Sequence, residues 1–236
     1  MPTQPNAPAK PSAAAAFMAL LGREVLVEWR TKSLISSMGL FALLCVVVVG
    51  LGARSLPSDD TLHRFVLAML WVCTVFAAIV GLNRAAVADQ RKGLIYALLL
   101  APHDPALLYL TRVVSVLAFL LVTQSLMILA AIPLLKLTLF DDPLILAVIV
   151  MADIGVLAPG VLLASITGRA RGGEALLTIL LMPVIVPVFL GATGATDALQ
   201  PGQDPAAATA YLLLLGICDA MFAALGLLLF GRLNEG

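Results

Sequence analysis

Two aspartates are the residues of this sequence best placed to do chemistry, because each stands within a long apolar run. Asp153 lies in the run Leu144–Ile166, and Asp219 lies in the run Ala210–Phe230. An ionisable group in the hydrocarbon region costs about 2.5–3.5 kcal/mol on the scale from insertion experiments, so both side chains are expected to face protein or water. We therefore predict an intramembrane polar site at these residues, suited either to proton-coupled transport or to hydrogen bonds between subunits.

Other reactive groups are scarce. The sequence has no Gly-x-x-x-x-Gly-Lys-Ser/Thr phosphate-binding loop, so this chain alone is not expected to hydrolyse a nucleotide. It has two histidines, His63 and His103, and no spacing that suits a metal site or covalent haem attachment. We therefore predict no catalytic residue and no metal ligand, which argues against an enzyme.

Two prolines interrupt the apolar run Ala175–Ala192. Pro183 and Pro187 are four residues apart near its middle. A proline inside a helix removes one hydrogen bond and kinks the axis. The pair predicts a hinge or a break in this span, with ordinary helix bending as the alternative.

Six apolar stretches decide the class of the protein. The chain is 61% hydrophobic and 12% charged, with a mean hydropathy of +1.07, which is unlike a soluble domain. Each stretch has about 20 largely uncharged residues, the length at which a helix crosses a hydrocarbon core about 30 Å thick. The sequence therefore predicts an all-α polytopic membrane protein with six transmembrane helices: Leu34–Gly52, Val66–Leu82, Val113–Leu135, Leu144–Ile166, Ala175–Ala192 and Ala210–Phe230.

The distribution of cations predicts the orientation in the membrane. Of the 14 Lys and Arg residues, 11 lie in the N-terminal arm, in the second and fourth connections and in the C-terminal tail. The other three are Arg54, Arg64 and Lys136. Because cytoplasmic loops carry an excess of Lys and Arg, both termini are expected in the cytoplasm.

The segments outside the 34–230 membrane domain are short. Residues 1–16 are rich in Pro and Ala and are predicted to form a disordered cytoplasmic leader, and residues 231–236 form a tail. Residues 17–33 predict an amphipathic helix at the membrane interface, with docking on a partner protein as the alternative. Its apolar residues recur every four positions, and charged residues point elsewhere: Phe17, Leu21, Val25 and Trp29 against Arg23, Glu24, Glu28, Arg30 and Lys32.

The inward connection 83–112 is the longest. Its centre mixes charge with an apolar run that ends at Pro102. Because the residue before a proline is steered away from helical geometry, a short helix ending there is expected. Its apolar side needs a cover, which the bilayer or another protein would supply.

Four motifs stand in a fixed order along the chain: Trp71, Asp89-x-x-x-Gly93-x-Ile95-x-x-Leu98-Leu99-Leu100-x-Pro102, Arg171-Gly172-Gly173, and Pro183-x-x-x-Pro187-x-x-x-Gly191. With the basic N-terminal helix, they resemble the haem exporter protein B family. Members of that family are membrane subunits of the ABC system for cytochrome c maturation. The resemblance runs from about Arg23 to Ala192, and the last span agrees only in hydrophobicity.

The resemblance implies a type-2 ABC exporter fold in the bacterial inner membrane, with two copies of this chain on two copies of a separate ATPase. The residues that would couple to the ATPase are Asp89, Arg91, Gly93, Tyr96, Leu98, Pro102, Arg171, Gly172 and Gly173. Arg23, Trp29 and Arg30 would belong to the interfacial helix. The family is acidic around the coupling glycine, whereas this chain has Arg91, Lys92 and Tyr96 there, which implies a divergent ATPase contact.

The resemblance also implies the partners. They are the ABC ATPase, a haem-handling membrane subunit, a small accessory subunit, a periplasmic haem chaperone and membrane lipid, with no nucleic acid. This chain alone would bind no cofactor; ATP would act through the ATPase, and haem would be cargo or sit on a partner. The complex would move haem outward or release the loaded chaperone. Two alternatives remain open: export of a lipid or hydrophobic drug, and a proton-coupled carrier using Asp153 and Asp219.

Overall fold

The computed structural model of the chain describes residues 13–53, 58–91, 105–135, 142–168, 170, 172–200, 202–203 and 205–234. These residues form helices joined by short connections, without a β-strand among them. In chain order the helices are α1 (Ala13–Thr31), α2 (Ser33–Ala53), α3 (Asp59–Arg91), α4 (Pro105–Leu135), α5 (Leu144–Thr167), α6 (Gly173–Ala198) and α7 (Pro205–Asn234).

The six helices α2 to α7 are long and apolar enough to cross a membrane. The prediction of an all-α polytopic membrane protein with six spans is therefore confirmed. Because consecutive spans run in opposite directions, α1, the C-terminal end of α3, the N-terminal end of α4, the start of α6 and the C-terminal end of α7 all lie at one end of the bundle. We call this end the basic end.

The helices extend beyond the apolar runs from which they were predicted. α3 continues to Arg91, and α4 begins at Pro105, so the connection predicted over 83–112 shortens to 92–104. Hydropathy marks only the part of a helix that crosses the bilayer, whereas backbone hydrogen bonds continue into the aqueous part. Proline suits the first position of α4 because its missing N–H would be unsatisfied there in any helix.

The helices pack as two groups that share a seam. α2 packs on α3 and α4, while α5, α6 and α7 pack on one another. Across the seam, α3 contacts α5 and α6, and α4 contacts α5 and α7. Large apolar side chains on the outer faces are exposed and suit a lipid environment: Leu40, Leu44, Val48, Ile179, Leu190, Leu213, Ile217 and Leu228.

α6 runs without interruption through Pro183 and Pro187. The prediction that the two prolines break this span is therefore wrong. Each proline removes one backbone hydrogen bond, and the bond that Pro187 removes is the one to the carbonyl of Pro183. The two losses therefore fall in consecutive turns, and the other backbone bonds keep α6 continuous. Whether the pair acts as a hinge stays a prediction.

The predicted interfacial helix corresponds to α1, which begins at Ala13, four residues before the predicted start at residue 17. It ends at Thr31, and Lys32 adopts a positive φ of 50° before α2 starts at Ser33. The side chain of Glu28 accepts a hydrogen bond from the N–H of Ile35 at 3.2 Å, so it caps the first turn of α2. Residues 1–12 of the predicted leader lie outside the described residues.

Candidate functional site

A polar cluster lies in the interior of the bundle, where three helices meet. Asp153 of α5 is 1% exposed and Gln124 of α4 is 4% exposed. Nε2 of Gln124 donates to Oδ1 of Asp153 at 3.0 Å and to Oγ1 of Thr74 in α3 at 3.3 Å. The predicted polar site at Asp153 thus has two partners that the sequence analysis did not name. Uncharged polar side chains give a weaker sequence signal than a carboxyl group, which is why they were missed.

A second polar contact crosses the seam beside this cluster. Nε1 of Trp71 in α3 donates to Oγ1 of Thr196 in α6 at 3.0 Å. The hydroxyl of Thr196 also bonds the carbonyl of Ala192 in its own helix at 2.7 Å. The motif residue Trp71 is therefore a buried contact between the two helix groups.

A crevice of about 30 Å³ lies between the two contacts. Its polar lining residues are Trp71, Thr74, Gln124 and Thr196, and the rest of its wall is aliphatic or Met. A space of this size suits a water molecule or a small ion and excludes a porphyrin. The interior polar site, in this conformation, is not a haem pocket.

The carboxyl groups of Asp153 and Asp219 do not share one site. Asp153 faces Gln124 of α4. Oδ1 of Asp219 lies 2.9 Å from the position that a Cβ on Gly155 would occupy. Residues 153 and 155 are about 200° apart around a helix, so the two carboxyl groups lie on opposite faces of α5. A carrier that passes a proton directly from one aspartate to the other does not match this geometry.

At the basic end, Arg112 of α4 joins three helices. Its Nη1 lies 3.2 Å from Oε1 of Glu24 in α1, and its Nη2 donates to the carbonyl of Ala85 in α3 at 2.9 Å. Both side chains of the ion pair are about one-fifth exposed, at 18% for Arg112 and 22% for Glu24. Arg112 therefore holds α1 against the base of the bundle.

The faces of α1 differ from the predicted stripe. Phe17 and Leu21 lie half-buried on the bundle side, whereas Val25 and Trp29 are exposed, Trp29 by 71%. Arg23 and Arg30 are exposed as well. The residues that continue the inner face are Glu24 and Glu28, which the sequence analysis had pointed elsewhere. An outward face with Trp29 and two arginines is typical of a helix at a membrane interface.

The Gly172-Gly173 motif shapes the connection between α5 and α6. Gly172 has φ +76°, a left-handed conformation that favours glycine. A Cβ on Gly173 would collide with the carbonyl oxygen of Thr167, which belongs to the backbone and cannot swing away. The two glycines therefore have a structural task in this turn, whatever partner the turn contacts.

Substitutions at Gly172 should follow the cost of the left-handed backbone. Asn adopts this conformation readily, so Gly172→Asn should leave the unfolding temperature nearly unchanged. Gly172→Ala should cost about 1 kcal/mol, and the β-branched Gly172→Val should cost more. Thermal unfolding of the three purified variants in detergent checks this order. Equal unfolding temperatures would show that the turn does not require a positive φ.

Several predicted coupling residues lie outside the described residues: Gly93, Tyr96, Leu98, Pro102 and Arg171. The backbone of Asp89 and Arg91 forms the last turns of α3, so these two residues are helical and not part of a loop. Within the described ranges, no three His, Cys, Asp or Glu side chains are grouped so as to hold a metal ion.

Comparison with known proteins gives one family and one relative. Residues 15–229 match the model of the family described as "CcmB protein". The match covers α1 from residue 15, α2 to α6 entirely, and α7 up to residue 229. The chain is 25% identical over 191 residues to "Heme exporter protein B" of Pseudomonas aeruginosa. The alignment covers 79% of this chain and 82% of that relative.

Proposed function

Since this chain belongs to the CcmB family, we propose that it is the membrane-spanning permease subunit of a haem-export system that serves cytochrome c maturation. The observation that carries the proposal is the family match, which extends over the interfacial helix and all six spans and not over a single motif. The relative in Pseudomonas aeruginosa, which is named as a haem exporter, also supports a role in haem export. The subunit is non-catalytic in this proposal.

The energy source in this proposal is a separate ABC ATPase. The sequence has no phosphate-binding loop of its own. We place the contact with the ATPase at the basic end, on the connection 92–104 and the Arg171-Gly172-Gly173 turn. The basic end would face the cytoplasm of a bacterial inner membrane, since it collects most of the cations.

The described contacts suit a coupling role for the basic end. The connection 92–104 joins α3 to α4, and the side chain of Arg112 ties these two helices to α1. A movement of this connection would therefore displace α1 together with α3 and α4, the two helices that contact the other group across the seam. The ATPase needs only to bind one conformation of this end more tightly than the other in order to shift the population.

The remaining parts of the proposal concern partners and cargo. We place two copies of the chain in the complex, beside a haem-handling membrane subunit, a small accessory subunit and a periplasmic haem chaperone. Haem is cargo or sits on a partner, and this chain binds no cofactor by itself. The crevice at the seam is too small for haem, which favours a route or binding site elsewhere in the complex.

A charge placed in the connection 92–104 should uncouple ATP hydrolysis from maturation. We expect Leu98→Asp, and likewise Gly93→Val, to lower mature cytochrome c about tenfold or more, the change that a loss of about 1.4 kcal/mol of differential binding produces. ATPase activity of the purified complex should persist. Haem staining of membrane cytochromes and phosphate release measure the two quantities.

The matched control for Leu98→Asp is Gln203→Asp, which adds the same charge to an exposed position at the opposite end. It should leave cytochrome c at the wild-type level. Normal cytochrome c in both the Leu98 and Gly93 variants would remove the connection 92–104 from the coupling pathway.

A further inference from the structure

Asp153 lies in surroundings that do not suit a negative charge. Its side chain is 1% exposed, on a helix that packs against α3, α4, α6 and α7. Oδ1 accepts one hydrogen bond, from Nε2 of Gln124 at 3.0 Å. Oδ2 is buried, and no group in the described part of the chain donates to it. A buried carboxylate is normally paired with a cation or bonded by several donors, and without them it takes up a proton.

The cations of the neighbouring helices are far from this carboxyl group. α5 and α6 contain no Lys, Arg or His. Arg64 and Arg84 of α3 are each ten positions from Thr74, which is about 15 Å along the helix axis. Arg112 of α4 is twelve positions from Gln124, or about 18 Å. The basic residues of α3, α4 and α7 all lie towards the helix ends: His63, Arg64, Arg84, Arg91, Arg112 and Arg232.

The amide of Gln124 has a vacant acceptor of its own. Its Nε2 donates to Asp153 and to Thr74. Its Oε1 is buried, and no donor for it exists in the part of the chain that the structure describes. Two acceptor atoms of one hydrogen-bonded pair, Oδ2 and Oε1, thus lack a donor and are shielded from water. One proton on Oδ2 removes the charge of the carboxyl group and offers a donor to Oε1.

We propose that Asp153 is a neutral carboxylic acid that forms, with the amide of Gln124, an uncharged lock across the seam between the two helix groups. Oδ1 is the carbonyl oxygen that accepts from Nε2, and Oδ2 carries the proton. Asp153 is then a positioning residue that holds α5 on α4, as uncharged polar side chains do between membrane helices, and not the proton site of a carrier. This inference does not depend on the proposed cargo or on the ATPase.

The first test is infrared spectroscopy of the full-length protein in lipid at neutral pH, where an aspartate in water is ionised, since its ordinary pKa is about 3.9. We expect the carbonyl-stretch band of a protonated carboxylic acid, and this band should be lost in Asp153→Asn. The matched control is Asp219→Asn, because Asp219 lies on the opposite face of α5, and the band should remain there. The absence of a band that depends on Asp153 would overturn the proposal.

A second measurement needs no substitution at Asp153. In Asp219→Asn protein that carries ¹³C-labelled aspartate, solid-state NMR at neutral pH should show one protonated carboxyl carbon. Carboxylate signals alone would overturn the neutral acid. This spectrum decides even where Asp153→Asn does not fold.

Three further variants test the lock itself. Gln124→Leu should shift the infrared band, because the carbonyl oxygen of Asp153 loses its donor. Thr123→Val should not shift it, since the hydroxyl of Thr123 is buried but bonds the carbonyl of Phe119 in its own helix. Asp153→Asn keeps a donor and an acceptor, so it should unfold at a higher temperature than Asp153→Leu. An unshifted band in Gln124→Leu, or equal unfolding temperatures for the two Asp153 variants, would overturn the lock.

Discussion

Replacing Arg112 by methionine should release α1 from the bundle and lower the unfolding temperature of the purified protein. The methionine retains most of the apolar stem but loses the ion pair with Glu24 and the hydrogen bond to the carbonyl of Ala85. Removing one partner of a buried pair leaves the other charge uncompensated, which costs 3–5 kcal/mol when burial is complete. Here each side chain is about one-fifth exposed, so we expect about 2 kcal/mol, or about 4–8 °C in Tm for a chain of this size.

Two variants separate this effect from a general loss of positive charge. Arg84→Met removes an exposed cation of α3 and should leave Tm within about 1 °C. The double variant Glu24→Gln with Arg112→Met removes the orphaned carboxylate and should recover more than half of the loss, because the two residues are coupled. Cleavage at Arg23 or Arg30 by trypsin should be faster in Arg112→Met than in the wild type. Equal Tm values for Arg112→Met and Arg84→Met would contradict the role of Arg112 in holding α1.

Gly226→Ala should strongly destabilise the protein, because α7 packs closely on α4 at this glycine. Its Cβ would collide with the ring of Tyr109, which is 1% exposed and packs against Phe230 with ring centroids 5.5 Å apart. The hydroxyl of Tyr109 donates to the carbonyl of Ala158 at 3.0 Å. Either α7 moves away from α4 or the tyrosine leaves its place and loses this bond, so we expect a loss of about 2–4 kcal/mol.

The control for Gly226→Ala is the same substitution at Gly39 in α2. A Cβ there meets nothing within 4 Å, and alanine favours the helix by about 1 kcal/mol, so Gly39→Ala should keep or raise the Tm. Tyr109→Phe removes only the hydrogen bond and should lie between the two, at about 1 kcal/mol. If Gly226→Ala unfolds at the same temperature as Gly39→Ala, α4 and α7 do not pack at this glycine.

The number and order of the spans were predictable because the bilayer imposes them. Every backbone polar group in lipid must be bonded within the chain, so a sufficiently long apolar run becomes a helix. The ends were less predictable, because no such rule governs the helix once it leaves the membrane. α3 therefore extends to Arg91, and α4 begins at Pro105, although both residues lie well outside the apolar runs.

The interior site was predictable only where the sequence carries a charge. An ionisable residue such as Asp153 is conspicuous in an apolar run. That Gln124 is its partner depends on how α4 packs on α5, which the sequence does not show. On α1, residues that are four positions apart are rotated about the helix axis by about 40° at each step, or by about 120° over three steps. Phe17 and Trp29 therefore face different sides. That rotation carries Glu24 to the inner side, where it meets Arg112.

The measurement that most directly tests the proposed function is affinity purification of this chain from its native membrane in mild detergent, followed by mass spectrometry of the bound proteins. The account predicts an ABC ATPase together with haem-handling maturation subunits. An ATPase without those subunits would support export of another hydrophobic cargo instead of haem. A chain that is recovered without any ATPase, under conditions that preserve other ABC complexes of the same membrane, would contradict the central claim.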